Sequence, residues 1–162
     1  MKRLENRVAI VTGGTAGIGE ATALRFAREG AQVVVWARNE ARGKEMEKKA
    51  AAKIVFNCSR QETVDRGLKA YKEKGIEAKG YLCDVTNEES VKAMVADIEA
   101  TVGTIDILVN NAGIINDSTL KKMTVEQWQN VIDVNLSGTF YCCKAVLNYM
   151  LEAGYGRIVN AS

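Results

Sequence analysis

Six short runs of the chain are almost continuously apolar, and the stretches between them alternate charge with apolar residues on a helical period. The runs are RVAIVT (7–12), QVVVWA (32–37), KIVFN (53–57), AKGYLC (78–83), IDILVN (105–110) and RIVNA (157–161). Continuous rather than alternating apolar character marks strands covered on both faces. Strands taking turns with helical patterns predict an α/β fold with a doubly wound parallel sheet. Ser59-x-x-Glu62, Thr86-x-x-Glu89 and Thr124-x-x-Gln127 have the spacing of capping boxes, in which a hydroxyl and the side chain three residues on satisfy exposed N–H groups reciprocally. Gly30, Gly75, Gly103 and Gly154 fall where helices should stop, because glycine adopts the left-handed cap conformation at little cost.

Two of these units look like the same step taken twice. AQVVVW overlays AKIVFN at an offset of 21 residues, and Arg42-Gly43 overlays Arg66-Gly67 at an offset of 24. A duplication with one helical turn fewer in the first copy accounts for both offsets; the alternative is coincidence between two ordinary strand–helix units. The helix after Asn39 runs through EMEKKAAAK into the next strand with no stop signal, like a splice. Residues 31–51 are therefore expected to be a duplicated βα insertion within a single domain spanning 1–162. Right-handed crossovers would place both copies outward from the first strand, giving about six strands in the order 3-2′-2-1-4-5. In the competing arrangement one copy loops out. Expelling Val33, Val34, Val35 and Trp36 would lose roughly 1.5–3 kcal/mol for each, against a total domain stability of roughly 5–15 kcal/mol, so insertion is expected.

Composition narrows the function classes. The 162 residues are 47% hydrophobic and 26% charged with a net charge of +2, an ordinary globular balance that gives no reason to expect nucleic acid or a membrane surface as partner. No apolar run approaches the roughly 18 residues that span a bilayer, and the start lacks a signal-peptide pattern, so the cytoplasm is the expected location. Cys58, Cys83, Cys142 and Cys143 have no CxxC spacing, and histidine is absent, which removes the usual parts of a zinc site or of histidine catalysis. Proline is absent too, where about 5% would be usual; with the splice, this points to an edited sequence.

After the first strand comes Thr12-Gly13-Gly14-Thr15-Ala16-Gly17-Ile18-Gly19, opening into a helix. Glycines there permit a tight turn, close backbone approach of a pyrophosphate and tight helix–strand packing, while the helix N-terminus offers unpaired N–H groups to an anion. This TGGTAGIG, with CDVT (83–86), NNAG (110–113) and VNL (134–136), resembles the short-chain dehydrogenase/reductase family in order and spacing; residues 52–115 are most similar to gluconate 5-dehydrogenase-like members.

The resemblance implies an NAD(P)-binding Rossmann fold and hydride transfer between an alcohol and a carbonyl. It implies that Thr12, Gly13, Gly17, Ile18 and Gly19 line the dinucleotide phosphates, and that Asp84 and Val85 edge the adenine pocket. Asn110, Ala112 and Gly113 would follow the ribose and nicotinamide, and Asn135 would be the helix asparagine that supports a catalytic water chain. An acid at the end of the second strand would select NAD, whereas an arginine favours a 2′-phosphate. One copy offers Ala37 and Arg38 there, the other Cys58, Ser59 and Arg60, so NADP is favoured, with Arg38 as its contact.

The family's serine, tyrosine and lysine are missing. Ser162 lies one residue before the expected serine, Tyr141-Cys-Cys-Lys144 has the wrong spacing, and neither Tyr149 nor Tyr155 has a lysine four residues on. Asn135 is then the sole supporting member of the catalytic set, and no turnover by the chain alone is expected. An inserted strand would move Asp84 outward by about 4.8 Å, weakening dinucleotide binding. The helical region 124–152 is expected to expose apolar residues, among Trp128, Ile132, Leu136, Phe140, Val146, Leu147 and Met150, and so to favour self-association. These observations suggest an engineered or rearranged Rossmann half-domain. A free-standing NADP-binding module, or part of an oxidoreductase completed by another chain, are the alternatives.

Overall fold

A computed structural model of the chain describes residues 2–14, 17–36, 55–58 and 79–161. The strands are β1 (Val8–Thr12), β2 (Gln32–Trp36), β3 (Val55–Cys58), β4 (Lys79–Leu82), β5 (Ile105–Asn110) and β6 (Arg157–Asn160). The helices are α1 (Gly17–Arg28), α2 (Glu88–Thr101), α3 (Val125–Ile132) and α4 (Gly138–Glu152), with a π-helical turn at Asp133–Ser137 joining the last two. The strands hydrogen-bond in the order β4-β3-β2-β1-β5-β6, and every pairing is parallel. β3 and β4 join the sheet through parallel backbone pairing. Arg38, Ala37, the alanine junction, Gly75 and the Ser59–Glu62 spacing lie outside the described residues.

The apolar runs are continuous because each face of the sheet has its own cover. Val8, Ile10, Val34, Ile105 and Leu108 share one core with Val91, Met94, Val95 and Ile98 of α2 and Cys142, Val146 and Met150 of α4. Ala9, Val11, Val33, Ile107 and Val109 point the other way and pack with Ala23 of α1. Successive residues of one strand thus enter different cores, as the period of two requires, and the sheet is doubly wound.

Two expectations about helix ends hold and one is corrected. Thr124 and Gln127 form the reciprocal capping box of α3, and Gly30, Gly103 and Gly154 take positive φ at the ends of α1, α2 and α4. The cap of α2, however, is Asn87, whose side chain accepts from the N–H of Ser90. Thr86 is turned into the preceding loop, where its N–H and hydroxyl both donate to Asp84 Oδ1 at 2.9 Å. Asn is an equally good cap, and the spacing alone could not tell adjacent candidates apart. The long helical region 124–152 is likewise broken by the π turn.

The start of the chain is pinned to the end of α1. Glu29, whose side chain is 16% exposed, pairs with Arg3 at 3.2 Å and Arg25 at 2.7 Å. Hydrogen bonds from the Arg3 side chain, then from the Arg3 backbone N–H, hold its carboxyl well below its ordinary 4.5, at about 2, with Arg25 adding to the effect. A carboxyl with a folded-state value below its unfolded one contributes stability above the unfolded value, and that contribution is lost as pH falls through the folded one. Unfolding midpoints in urea should therefore decline between about pH 4.5 and pH 2, and in Glu29→Gln that part of the decline should disappear. Parallel pH profiles for the two proteins would assign the slope elsewhere.

Candidate functional site

The order of strands reverses at β1, with β2 on one side and β5 on the other. In doubly wound sheets the crevice at such a point, outside the carboxyl ends of the strands, is where ligands bind. The glycine loop leaves β1 into this crevice. Gly13 has φ +64°, and a Cβ there would meet the backbone of Ala112 at 2.9 Å; both facts exclude a larger residue. Thr12 is buried, and its hydroxyl oxygen accepts from the N–H groups of Asn111 and Ala112, both at 2.9 Å. Asn111 Nδ2 donates to the Gly13 carbonyl at 3.1 Å. A Cβ on Gly19 would fall on Asn111 Nδ2 and the Gly13 oxygen, closer than real Cβ atoms come.

Gly17 is the opposite case. It has φ +52° and nothing within 4 Å of where its Cβ would lie, and Ile18 beside it is 75% exposed. The first turn of the 12-residue α1 therefore presents a bare, open backbone surface with N–H groups that have no intrahelical partner. That surface fits a diphosphate, which needs donors and close approach without side chains in the way.

Asn110 ends β5 opposite Asn160 of β6. It is 4% exposed, and its Nδ2 donates to Asn160 Oδ1 at 2.9 Å and lies 3.2 Å from Cys143 Sγ. Its Oδ1 has no partner. Asn110 thus ties β5, β6 and α4 together. Asn135 lies in the π turn and grips one residue twice: its Oδ1 accepts from the Ile114 N–H at 2.9 Å, and its Nδ2 donates to the Ile114 carbonyl at 3.0 Å. A π turn carries one residue more than an α turn and re-aims a side chain, here onto the segment that continues from Ala112 and Gly113. Gly113 lies against the same amide, with a Cβ position 3.5 Å from Asn135 Oδ1.

The segment after β4 is anchored to the helices. Val85 packs on Gly138, where a Cβ would come within 3.0 Å of Val85 Cγ2, and Glu88 pairs with Lys144 at 2.9 Å. Burial raises the Cys83 thiol to about 11 and pushes that of Cys142 higher still. Both stay protonated at neutral pH and act as core packing, not as nucleophiles.

The structure brings Thr12, Gly13, Gly19 and Ala112 into direct contact across β1 and β5, and Gly113 and Asn135 beside them. Asp84 and Val85 follow β4 at the far edge of the sheet. Sequence reasoning passed over Asn111, Asn160 and Cys143. Asn111 was in plain view as the second residue of NNAG; Asn160 becomes meaningful only through its register opposite Asn110.

A glycine loop at the turning point of a doubly wound parallel sheet is the architecture of the Rossmann-like α/β proteins. The family model for short chain dehydrogenases matches residues 7–55 and 48–162, and the chain belongs to that family. It is 39% identical over 163 residues to a 3beta-hydroxysteroid dehydrogenase of Mediterraneibacter gnavus, covering 100% of this chain and 51% of the relative. It is 39% identical over 163 residues to a 3-oxoacyl-(acyl-carrier-protein) reductase of Chlamydia muridarum, covering 98% and 56%. Among solved structures, 2-keto-3-deoxy-D-gluconate dehydrogenase from Streptococcus agalactiae superposes with a TM-score of 0.67 at 43% identity, over 98% of this chain and 52% of that one. The chain spans about half the length of the curated relatives it matches.

Proposed function

We propose that the chain is a rearranged dinucleotide-binding half of a short-chain oxidoreductase, with residues 31–51 as an added βα unit, and that it binds NADP in preference to NAD. The observation that carries the reading is the open glycine face at Gly17 beside the braced turn at Gly13. The added unit is supported by the two family matches, which overlap at residues 48–55 where one continuous match would be ordinary, and by the placement of both β2 and β3 between β1 and β4. The dinucleotide, when bound, supplies the hydride chemistry. The chain's own residues bind its diphosphate at Gly17–Gly19, shape the crevice through Thr12 and Ala112, and hold the 113–114 segment through Asn135. Tyrosine followed four residues later by lysine does not occur in this sequence, so the contribution proposed for these residues is binding and orientation without turnover.

The preference for NADP is supported by register. Trp36, the last residue of β2, pairs with Thr12, the last residue of β1, so the strand that precedes Arg38 in the sequence ends beside the strand that feeds the glycine loop. β3 is one strand farther from β1. Binding of the adenine end is proposed to be looser than in an intact family member, because β4, which leads into Asp84, is separated from β1 by two strands, each about 4.8 Å wide. Titration of the protein with NADPH and NADH, read by tryptophan-to-nicotinamide energy transfer, tests this. NADPH should bind more tightly, and Arg38→Glu should reduce the difference by about tenfold, as expected from losing one charge-assisted contact. Absence of binding to either, or NADP-linked turnover of alcohols by this chain alone, overturns the reading.

Self-association belongs to the same proposal. Trp128, Leu136, Phe140, Leu147 and Leu151 are exposed along α3, the π turn and α4, and Ile158 and Val159 on the edge strand β6 are not buried either. Phe140→Asp should shift sedimentation toward the monomer, with little change in melting temperature because the ring is 57% exposed. A monomeric unaltered chain at high micromolar concentration removes this part.

A further inference from the structure

Of the residues around the crevice, Asn111 makes the contacts that decide how the glycine loop is held. We infer that Asn111 is a positioning residue for diphosphate binding, acting through the Gly13 peptide. The inference rests on the dinucleotide reading above and deepens it.

Three hydrogen bonds join the end of β1 to the start of the segment after β5: two from the N–H groups of Asn111 and Ala112 to the Thr12 hydroxyl, and one from Asn111 Nδ2 to the Gly13 carbonyl. The third is the one that bears on an anion. A loop that receives a diphosphate must present N–H groups and keep its carbonyl oxygens turned aside and satisfied. The Gly13 carbonyl lies in the positive-φ turn itself, where the backbone is least constrained. Asn111 occupies that oxygen and fixes the plane of the peptide it belongs to. The peptide is planar and trans, so its other pole, the N–H of Gly14, is held pointing away from Asn111.

Gly19 fits the same arrangement. Its missing Cβ is the space into which the Asn111 amide and the Gly13 oxygen are drawn together. The last glycine of the loop is therefore required by an asparagine about ninety residues away in sequence, in addition to any demand from helix packing. The same three hydrogen bonds tie the glycine loop to the segment proposed for the nicotinamide side.

The test compares a ligand with a diphosphate, NADP, and one without it, adenosine 2′-phosphate, on the full chain and on Asn111→Ala. The variant should bind NADP about fivefold more weakly, the loss of one intramolecular hydrogen bond, while adenosine 2′-phosphate changes less than twofold. Equal weakening for both ligands would mean that Asn111 acts only through general stability, and no weakening would mean that it does not act; either overturns the inference. Should the variant fail to fold, the unaltered chain gives the answer by NMR. The side-chain amide resonances of Asn111 should move on adding NADP and stay in place with adenosine 2′-phosphate, and movement with both or neither sinks the idea. If the unaltered chain binds no NADP, the dinucleotide reading falls and this one with it. If it binds NADP and the two ligands respond alike to the substitution, only this inference fails.

Discussion

Gly19→Ala should lower NADP affinity by about 10- to 100-fold while leaving the chain folded. The added methyl would land on the Asn111 amide and on the backbone oxygen of Gly13, and a backbone oxygen cannot swing aside as a flexible side chain can. Relief must come from the loop, either by rotating the Gly13 peptide or by pulling the start of α1 off the sheet. Overpacking of this kind costs about 1–3 kcal/mol, and the loop geometry that receives the diphosphate is what gives way. Alanine at Gly17 makes the contrast, since no atom lies within 4 Å of its Cβ position. Its penalty is the positive φ of 52°, about 1 kcal/mol, plus any direct obstruction of the ligand. Calorimetric titration with NADP, with melting curves for both variants, separates the effects. Unchanged affinity in Gly19→Ala would show that the loop does not need the close approach seen here.

Leu108→Ala should be the most damaging single truncation to stability, at about 2–5 kcal/mol. Leu108 is fully buried in the middle of β5, paired with Ile10 of β1 on one side and Ile158 of β6 on the other, in the core shared with α2 and α4. The cavity has no route to collapse, because the strands on both sides fix the backbone and the helices above contact each other. Against a total of roughly 5–15 kcal/mol, a loss of this size is visible as a large drop in the urea midpoint. A shift under 1 kcal/mol would mean that the core over β5 is loosely packed. The identical truncation at exposed Leu147 should be nearly silent.

Much of this was legible along the chain. The apolar runs found the strands to within two residues at their ends, and in β1 and β5 the reason is that a strand buried on both faces has few polar positions to blur it. The Thr124 capping box and the glycine stops were readable because their chemistry is confined to a few adjacent residues. Thr86 failed for the same reason in reverse. Two adjacent residues could each cap α2, and the choice was made by Asp84, which draws Thr86 away. The π turn at Asn135 left no local trace either, because VNL is compatible with an unbroken helix. What pulls the turn open is its grip on Ile114, twenty-one residues earlier.

The sequence by itself determined the alternation of strand and helix, the glycine-rich turn between β1 and α1, and the family to which these belong, all of which depend on residue type and short spacing. Tertiary structure decided that β2 and not β3 lies beside β1, which asparagine contacts the Gly13 carbonyl, and why Gly19 must be bare. Those are contacts between segments some twenty to a hundred residues apart, and the identity of such neighbours is fixed only when the sheet has chosen its order.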